Sequence, residues 1–315
     1  MKALMFGWEF PPHILGGLGT ASYGLTKGMY DCGDMDITFV IPKPWGDEEK
    51  GFARIIGANT TPIAWRDVSS EYVQSRIGNV MDPQTYFDLR NHIYSDFNYM
   101  NTNDLGCIEF SGRYPDNLVE EINNYSIVAG VIARTIPCDI IHSHDWLTYP
   151  AGIHAKQVTG KPLVIHVHAT DFDRSRGNVN PTVFNIEKDG MNNADHIITV
   201  SNLTRRTVIE KYGISPDKVT TVHNAVEPLS EELLNVTVPP KHDKVVTFLG
   251  RITMQKGPEY FVEAAAQVLS KVRGVQFVMA GGGDMMEKMI RLAARRGIAD
   301  RFHFAGFLRG KEVYE

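Results

Sequence analysis

The chain has 315 residues, which is enough for two domains of ordinary size. Hydrophobic residues make up 43% and charged residues 22%, as in a soluble globular protein with a sizeable core. The net charge of −5, without a basic cluster interleaved with aromatics, argues against a nucleic-acid binder.

The N-terminus and the cysteines exclude further classes. The first apolar run reaches Glu9 and two prolines too soon for a signal peptide, and no run approaches the ~18 residues of a membrane span. The cysteines, Cys32, Cys107 and Cys138, form no pattern. This excludes a zinc–cysteine site and favours a reducing cytoplasm.

Short apolar runs alternate with amphipathic stretches, which predicts a parallel α/β sheet covered by helices. The runs are rich in β-branched residues, as strands buried on both faces are. Predicted strands are Lys2–Phe6, Ile37–Ile41, Ile140–Ser143, Leu163–Val167, His196–Val200, Val219–His223, Val245–Gly250, Val275–Ala280 and Arg301–Phe304. Predicted helices are Thr20–Met29, Asn117–Ile132, Asn202–Tyr212, Pro258–Arg273 and Asp284–Arg296.

A glycine cluster, Gly16, Gly17 and Gly19, separates the first strand from the first helix. Glycines allow a ligand to approach the backbone, and a helix N-terminus presents free N–H groups, so phosphate is the expected ligand. A tight turn without a ligand is the alternative.

Residues 44–116 interrupt the alternation and indicate an elaboration of the first domain. The segment from Tyr72 to Tyr114 is rich in Tyr and Asn. Exposed aromatics that bind a ligand and aromatics buried in the core are equally open alternatives for this segment.

Two H-x-H pairs stand at successive strand ends, in HSHDW and HVHATD. Ligands of open parallel sheets bind outside the carboxyl ends of the strands, so Asp145 and His168 are candidate site residues. His142 and His166 lie deeper and are expected to be buried and hydrogen-bonded. No third converging ligand is evident, so we expect no metal site.

The polar segment Glu227–Lys244 is the predicted interdomain linker. We expect an N-terminal domain over residues 1–235 and a C-terminal domain over residues 236–315. The second domain holds three strands and two helices, which is small for a doubly wound domain. The expectation is therefore a truncated second domain, part of a longer protein.

The second domain offers two loops at strand ends. Arg251 and Lys256 follow one strand, where two cations suit a diphosphate. Gly281, Gly282, Gly283 and Asp284 follow the next strand, where the glycine backbone suits a nucleotide and Asp284 is alternatively a helix cap. We expect a cleft between the domains, with the cations on one wall and the His and Asp groups on the other.

These motifs together resemble the retaining glycosyltransferases of the GT-B fold, and among them the bacterial and archaeal glycogen (starch) synthases. The resemblance covers nearly the whole chain and rests on the order and spacing of the motifs. They are the glycine loop, HSHDWLTYPAG, HVHATDFDRS, ADHIITVSNLT, TVHNAV, FLGRITMQKGPEYFVEAA and AGGGD.

The resemblance implies two Rossmann-like domains and transfer of glucose from ADP-glucose or UDP-glucose to an α-glucan, without a metal or cofactor. Asp145 would hold sugar hydroxyls, His168 would lie beside the transferred glucosyl group, and Asn224 would line the same pocket. Arg251 and Lys256 would neutralise the leaving diphosphate. The loop from Gly16 to Gly19 would contact the donor phosphates.

The sequence departs from the family pattern in two places that bear on donor binding and activity. Ile14 stands where the family has a lysine before its glycine loop, so one phosphate contact is missing. The family's pair of glutamates lies beyond AGF, so the 315-residue chain is expected to be inactive.

The alternatives are a sucrose- or trehalose-type synthase, which moves the sugar to a small acceptor, and a passive glucan-binding module. A phosphorylase is disfavoured because no pyridoxal-phosphate lysine is evident. A NAD-dependent oxidoreductase would need a G-x-G-x-x-G turn and an acidic residue after the second strand. That strand ends in VIPKP instead.

Overall fold

The computed structural model describes residues 1–63, 106–226 and 244–313, apart from residues 15, 34, 50 and 309. These residues form two compact units. The first comprises Met1–Thr170 and Asn180–Ala225, and the second comprises Asp171–Val179 and Val226–Glu315. The predicted boundary at residue 235 and nearly all of the predicted linker lie outside the described residues, so both stay predictions.

A seven-stranded, fully parallel sheet forms the first unit, in the order β3-β2-β1-β4-β5-β6-β7. Strands near the middle are apolar and buried on both faces, which is why their sequences do not alternate. The bounds are β1 Lys2–Phe6, β2 Asp36–Ile41, β3 Arg54–Gly57, β4 Ile140–His144, β5 Leu163–Val167, β6 His196–Thr199 and β7 Val219–Thr221.

Eight α-helices are found among the described residues. Those of the first unit pack on its sheet; Tyr125, for example, is fully buried and its hydroxyl donates to the carbonyl oxygens of Gly7 at 3.1 Å and Val40 at 2.7 Å. The bounds are α1 Gly17–Asp31, α2 Leu118–Thr135, α3 Tyr149–Thr159, α4 Asp171–Ser175, α5 Pro181–Asn193, α6 Asn202–Tyr212, α7 Pro258–Leu269 and α8 Met286–Arg295.

A three-stranded parallel sheet forms the second unit, in the order β10-β9-β8, with β8 Lys244–Leu249, β9 Val275–Ala280 and β10 Phe302–Gly306. The core includes Ile252, Val262, Phe277 and Met289. Five of the six β8 residues are exposed. The predicted count of three strands and two long helices is confirmed for the described residues of this unit, which also contains the short helix α4.

The predicted α/β class with parallel sheets is confirmed, and so are all nine predicted strands. The prediction missed β3 and the helices α3, α4 and α5. The missed strand β3 has four residues at the sheet edge, too short to show a pattern. Helix α5 did carry a start signal, because the Asn180 side chain accepts from the N–H of Thr182 at 2.9 Å and Pro181 follows it.

None of the helices in the described part of the chain has the length and apolarity that crossing a membrane requires.

Candidate functional site

The two H-x-H pairs lie side by side in the first unit. His142 and His144 end β4, His166 lies near the end of β5, and His144 pairs with His166 in the parallel register. Ring centroids are 4.4 Å apart for His142 and His144 and 4.5 Å apart for His166 and His168. The sequence-based expectation that both strand ends deliver histidine to one place holds within this unit.

Asp145 joins the ends of β4 and β5. The backbone of Asp145 has φ +61, and its N–H donates to the carbonyl oxygen of His166 at 2.9 Å. Its Oδ1 accepts from the N–H of His168 at 2.8 Å and from that of Ala169 at 3.4 Å. Since Asp145 is only 6% exposed, this oxygen fixes the loop that begins at His168. The sequence predicts only a sugar-binding role for Asp145, and it does not predict the hydrogen bonds of Oδ1 with the His168 and Ala169 amides.

His144 also contacts His168 directly. The Nδ1 of His144 and the Nε2 of His168 are 3.2 Å apart, within hydrogen-bonding distance. His168 is half-buried, whereas His142, His144 and His166 are buried. Of the four rings, His168 is therefore the one that a ligand in solvent reaches most easily.

His142 and His166 are buried, as expected, but the hydrogen bonds expected for their rings are incomplete among the described residues. In the described part of the chain, no hydrogen-bond partner is found for Nε2 of His142, for Nε2 of His144 or for either ring nitrogen of His166. Burial and, to a lesser extent, the neighbouring His168 together lower the pKa of His142 to about 3. Burial also lowers the pKa of His144 and His166, so all three rings are neutral at pH 7.

These three histidines are the residues that could hold a metal ion within the described part of the chain. Their ligand atoms lie within 4.8 Å of one another. A tetrahedral zinc ion with ~2.0 Å bonds keeps its ligand nitrogens about 3.3 Å apart. The neutral rings suit a metal chemically, because a metal binds the unprotonated imidazole nitrogen. The expected absence of a metal stays a prediction.

The glycine loop lies between β1 and α1. Gly16 is the N-cap of α1 and provides no side-chain hydrogen bond. A Cβ on Gly17 would meet nothing within 4 Å, whereas one on Gly19 would lie 2.3 Å from Cγ2 of Ile14. Gly19 is thus required for packing, and Gly17 is open to a ligand.

Glu9 is a residue of this loop that the sequence reasoning missed. It is 7% exposed, and its Oε1 accepts from the N–H of Gly19 at 3.1 Å. The carboxylate therefore already uses one of the amides at the start of α1 that were predicted to bind phosphate. The phosphate prediction for this loop is restricted to the amides before Gly19.

The predicted site residues of the second unit are exposed. Arg251 donates from Nη2 to Oε1 of Gln255 at 3.3 Å, and Lys256 ends the 3-10 turn Met254–Lys256. Both follow β8, as predicted. Asn224 is exposed in the first unit, after β7. The single pocket predicted to combine both sets of residues stays a prediction.

Backbone hydrogen bonds join the loop after β9 to the loop after β8. The N–H of Gly250 donates to Ala280 at 3.0 Å, and the N–H of Ile252 donates to Gly282 at 2.8 Å. A Cβ on Gly282 would meet nothing within 4 Å, which leaves its backbone open to a ligand. The alternative role of Asp284 as helix cap is wrong, because α8 has Met285 as its N-cap.

Comparison with known families covers much of the chain. Residues 116–228 match the family described as Glycosyltransferase Family 4, and residues 230–315 match the family described as Glycosyl transferases group 1. The histidine pairs and Asp145 fall in the first match, and Arg251, Lys256 and Gly282 fall in the second.

Similar proteins include an uncharacterized glycosyltransferase, MJ1607, of Methanocaldococcus jannaschii, 26% identical over 100% of this chain and 72% of that protein. A glycogen synthase of Mycobacterium tuberculosis is 23% identical over 99% of this chain and 69% of that protein. The chain spans only 52%, 42% and 52% of three further curated glycosyltransferases that it matches.

Among solved structures, Anabaena Alr3699/HepE in complex with UDP and glucose has a TM-score of 0.59 and 15% identity. The alignment covers 99% of this chain and 70% of that one. At this identity the likeness concerns the fold.

Proposed function

We propose that the protein moves glucose from a nucleotide-glucose donor to an α-1,4-glucan, with retention of configuration. The matches of residues 116–228 and 230–315 to two glycosyltransferase families, and the GT-B type fold, support this proposal. The observation that carries the proposal is the Asp145 contact at the end of β4, which holds the His168 loop by two backbone amides. The glycogen synthase relative, aligned over 99% of the chain, supports the choice of a glucan acceptor.

Each set of residues has its own task in this proposal. His168 orients the glucosyl group and favours the positive charge that develops on it, and Asp145 keeps His168 in place. Arg251 and Lys256 stabilise the negative charge that grows on the leaving diphosphate. Asn224 contacts the sugar, and Gly17 and Gly282 allow donor groups to approach the backbone.

The reaction breaks the bond between the anomeric carbon and the phosphate oxygen and forms a bond to an acceptor hydroxyl oxygen. The leaving phosphate oxygen takes the proton of that hydroxyl on the same face of the sugar. Positioning and electrostatics supply most of the rate, so none of these residues needs to act as a nucleophile.

The test is transfer of radiolabelled glucose from UDP-glucose and from ADP-glucose to glycogen. His168→Ala in an active form of the protein should lower turnover by about a hundredfold or more, because the positioned group is lost. His196→Gln is the matched control, since His196 lies on β6 and contacts Thr220.

Equal turnover in the His168→Ala and His196→Gln variants would refute the sugar-site assignment. Glucose transfer to a small sugar but not to glycogen would replace the glucan with the small-acceptor alternative. Glycogen binding without any transfer would favour the binding module. The same assay on the 315-residue chain tests the sequence-based expectation that it is inactive.

A further inference from the structure

Arg176 has a conformation and a set of contacts that the proposed reaction does not explain. It follows α4 in the segment Asp171–Val179, which belongs to the second unit although the chain on both sides belongs to the first. Its φ is +53, in the left-handed region that residues with a Cβ avoid. Backbone in this region persists only where the surroundings hold it.

The guanidinium group of Arg176 contacts three residues. Nε and Nη2 both donate to the carbonyl oxygen of Met254, at 3.0 and 2.7 Å. Nη1 lies 2.5 Å from Oε1 of Glu259, and the group lies 5.3 Å from the centroid of the Tyr260 ring. One planar group thus contacts both the 3-10 turn Met254–Lys256 and the first turn of α7.

The same turn places Lys256. The N–H of Lys256 donates to the carbonyl oxygen of Thr253 at 3.0 Å, and the N–H of Gly257 donates to that of Met254 at 3.2 Å. The Met254 carbonyl therefore accepts from Gly257 and twice from Arg176. The backbone that leads to Lys256 depends on the carbonyl that Arg176 holds.

We propose that Arg176 is a positioning residue of the diphosphate loop, and that it holds the turn Met254–Lys256 in the conformation in which Lys256 and Arg251 bind the donor phosphates. The identity of the ligand rests on the proposed function. Lysine could not fully replace Arg176. The ammonium group of lysine is a point charge, whereas the planar guanidinium group donates two N–H groups to the same carbonyl oxygen. The side chain is 36% exposed, so its ion pair with Glu259 contributes little to stability and its effect is geometric.

The chain contains a matched control. Arg296 donates from Nε and Nη2 to Oε1 of Glu263, at 3.1 and 2.8 Å. Glu263 lies one turn after Glu259 on α7. Arg176 and Arg296 are thus two exposed arginines paired to the same helix face, and only Arg176 has hydrogen bonds to the turn.

The experiment compares Arg176→Ala, Arg176→Lys and Arg296→Ala in the 315-residue chain. Amide hydrogen exchange at Lys256 and Gly257 should become about tenfold faster in Arg176→Ala and stay unchanged in Arg296→Ala. The Kd for UDP or ADP, measured by calorimetry, should rise about fivefold or more in Arg176→Ala and less in Arg176→Lys. Melting temperatures of the three variants should agree within about 2 °C.

Unchanged exchange in Arg176→Ala, or an equal acceleration in Arg296→Ala, would overturn the proposal. Faster exchange with an unchanged Kd would overturn it as well, because the position of the turn would then not matter for phosphate. If the unmodified chain binds neither nucleotide, the proposed donor site of this chain fails, while the exchange experiment still decides whether Arg176 holds the turn. Should Arg176→Ala not fold, Glu259→Gln and Arg176→Lys provide the same comparison.

Discussion

The end of β4 in the first unit and the loops of the second unit present their candidate residues in opposite ways. At the end of β4 the polar groups are buried: His144 is 0% and Asp145 6% exposed. In the second unit, Arg251, Lys256 and Asp284 are exposed on loops shaped by glycines with positive φ. Substitutions in the first unit should therefore change stability and ligand binding together. In the second unit the two effects should separate.

The largest expected effect is acid destabilisation of the first unit. His142, His144 and His166 have folded pKa values far below the usual value of about 6.5, because burial disfavours their charged forms. The unfolded chain binds more protons than the folded chain between pH 6.5 and about 3, so stability is present above pH 6.5 and lost as pH falls. Each histidine should cost about 2 kcal/mol of unfolding free energy between pH 7 and pH 5.

Urea unfolding at pH 5, 6 and 7 measures this slope. His166→Met, an adaptable apolar replacement, should reduce the slope by about one proton. His303→Gln serves as the control, since His303 is the one histidine among the described residues of the second unit and it is exposed. The comparison breaks down if both variants keep the slope of the unmodified chain.

A pair of glycine substitutions sharpens the comparison within the second unit. Gly281 has φ +137, and a Cβ there would lie 1.9 Å from the carbonyl oxygen of Gly250, whereas a Cβ on Gly282 would meet nothing. Gly281→Ala should destabilise this unit by about 3 kcal/mol or more, since both strain and a backbone clash result. Gly282→Ala should leave stability within ~0.5 kcal/mol but weaken nucleotide binding.

Thermal unfolding and calorimetry with UDP and ADP separate these two outcomes. An equal loss of stability in both glycine variants would mean that the loop after β9 is shaped by packing alone. Unchanged nucleotide affinity in Gly282→Ala would remove this loop from the donor site.

A smaller effect is expected at Asp145. Asp145→Ala removes the acceptor of two backbone amides and should cost about 2–3 kcal/mol, because hydrogen bonds to a charged group are lost in a buried position. Asp145→Asn keeps one acceptor oxygen and tolerates φ +61, so it should cost about 1 kcal/mol. Urea unfolding at pH 7 gives both values, and equal costs would contradict the anchoring role of Oδ1.

The features that sequence predicts best are those that depend on a single strand, such as where the strand ends. Buried strands are continuous apolar runs, so their ends, and with them His144, Asp145 and His168, could be located from the pattern. The contacts of Glu9 with Gly19 and of Arg176 with Met254 depend on how distant parts of the chain fold back, which no local pattern records. The helices α3 and α5 are a different case, because proline follows their N-caps and that signal was readable.

The path of the backbone also constrains how this protein can be recombined. The chain passes between the units at residues 170/171, 179/180 and 225/226. A chimera with a relative, joined by a single crossover after Ala225, would combine a foreign second unit with the native segment that carries Arg176. Functional hybrids should therefore require residues 171–179 to be exchanged together with residues 226–315, as one discontinuous cassette.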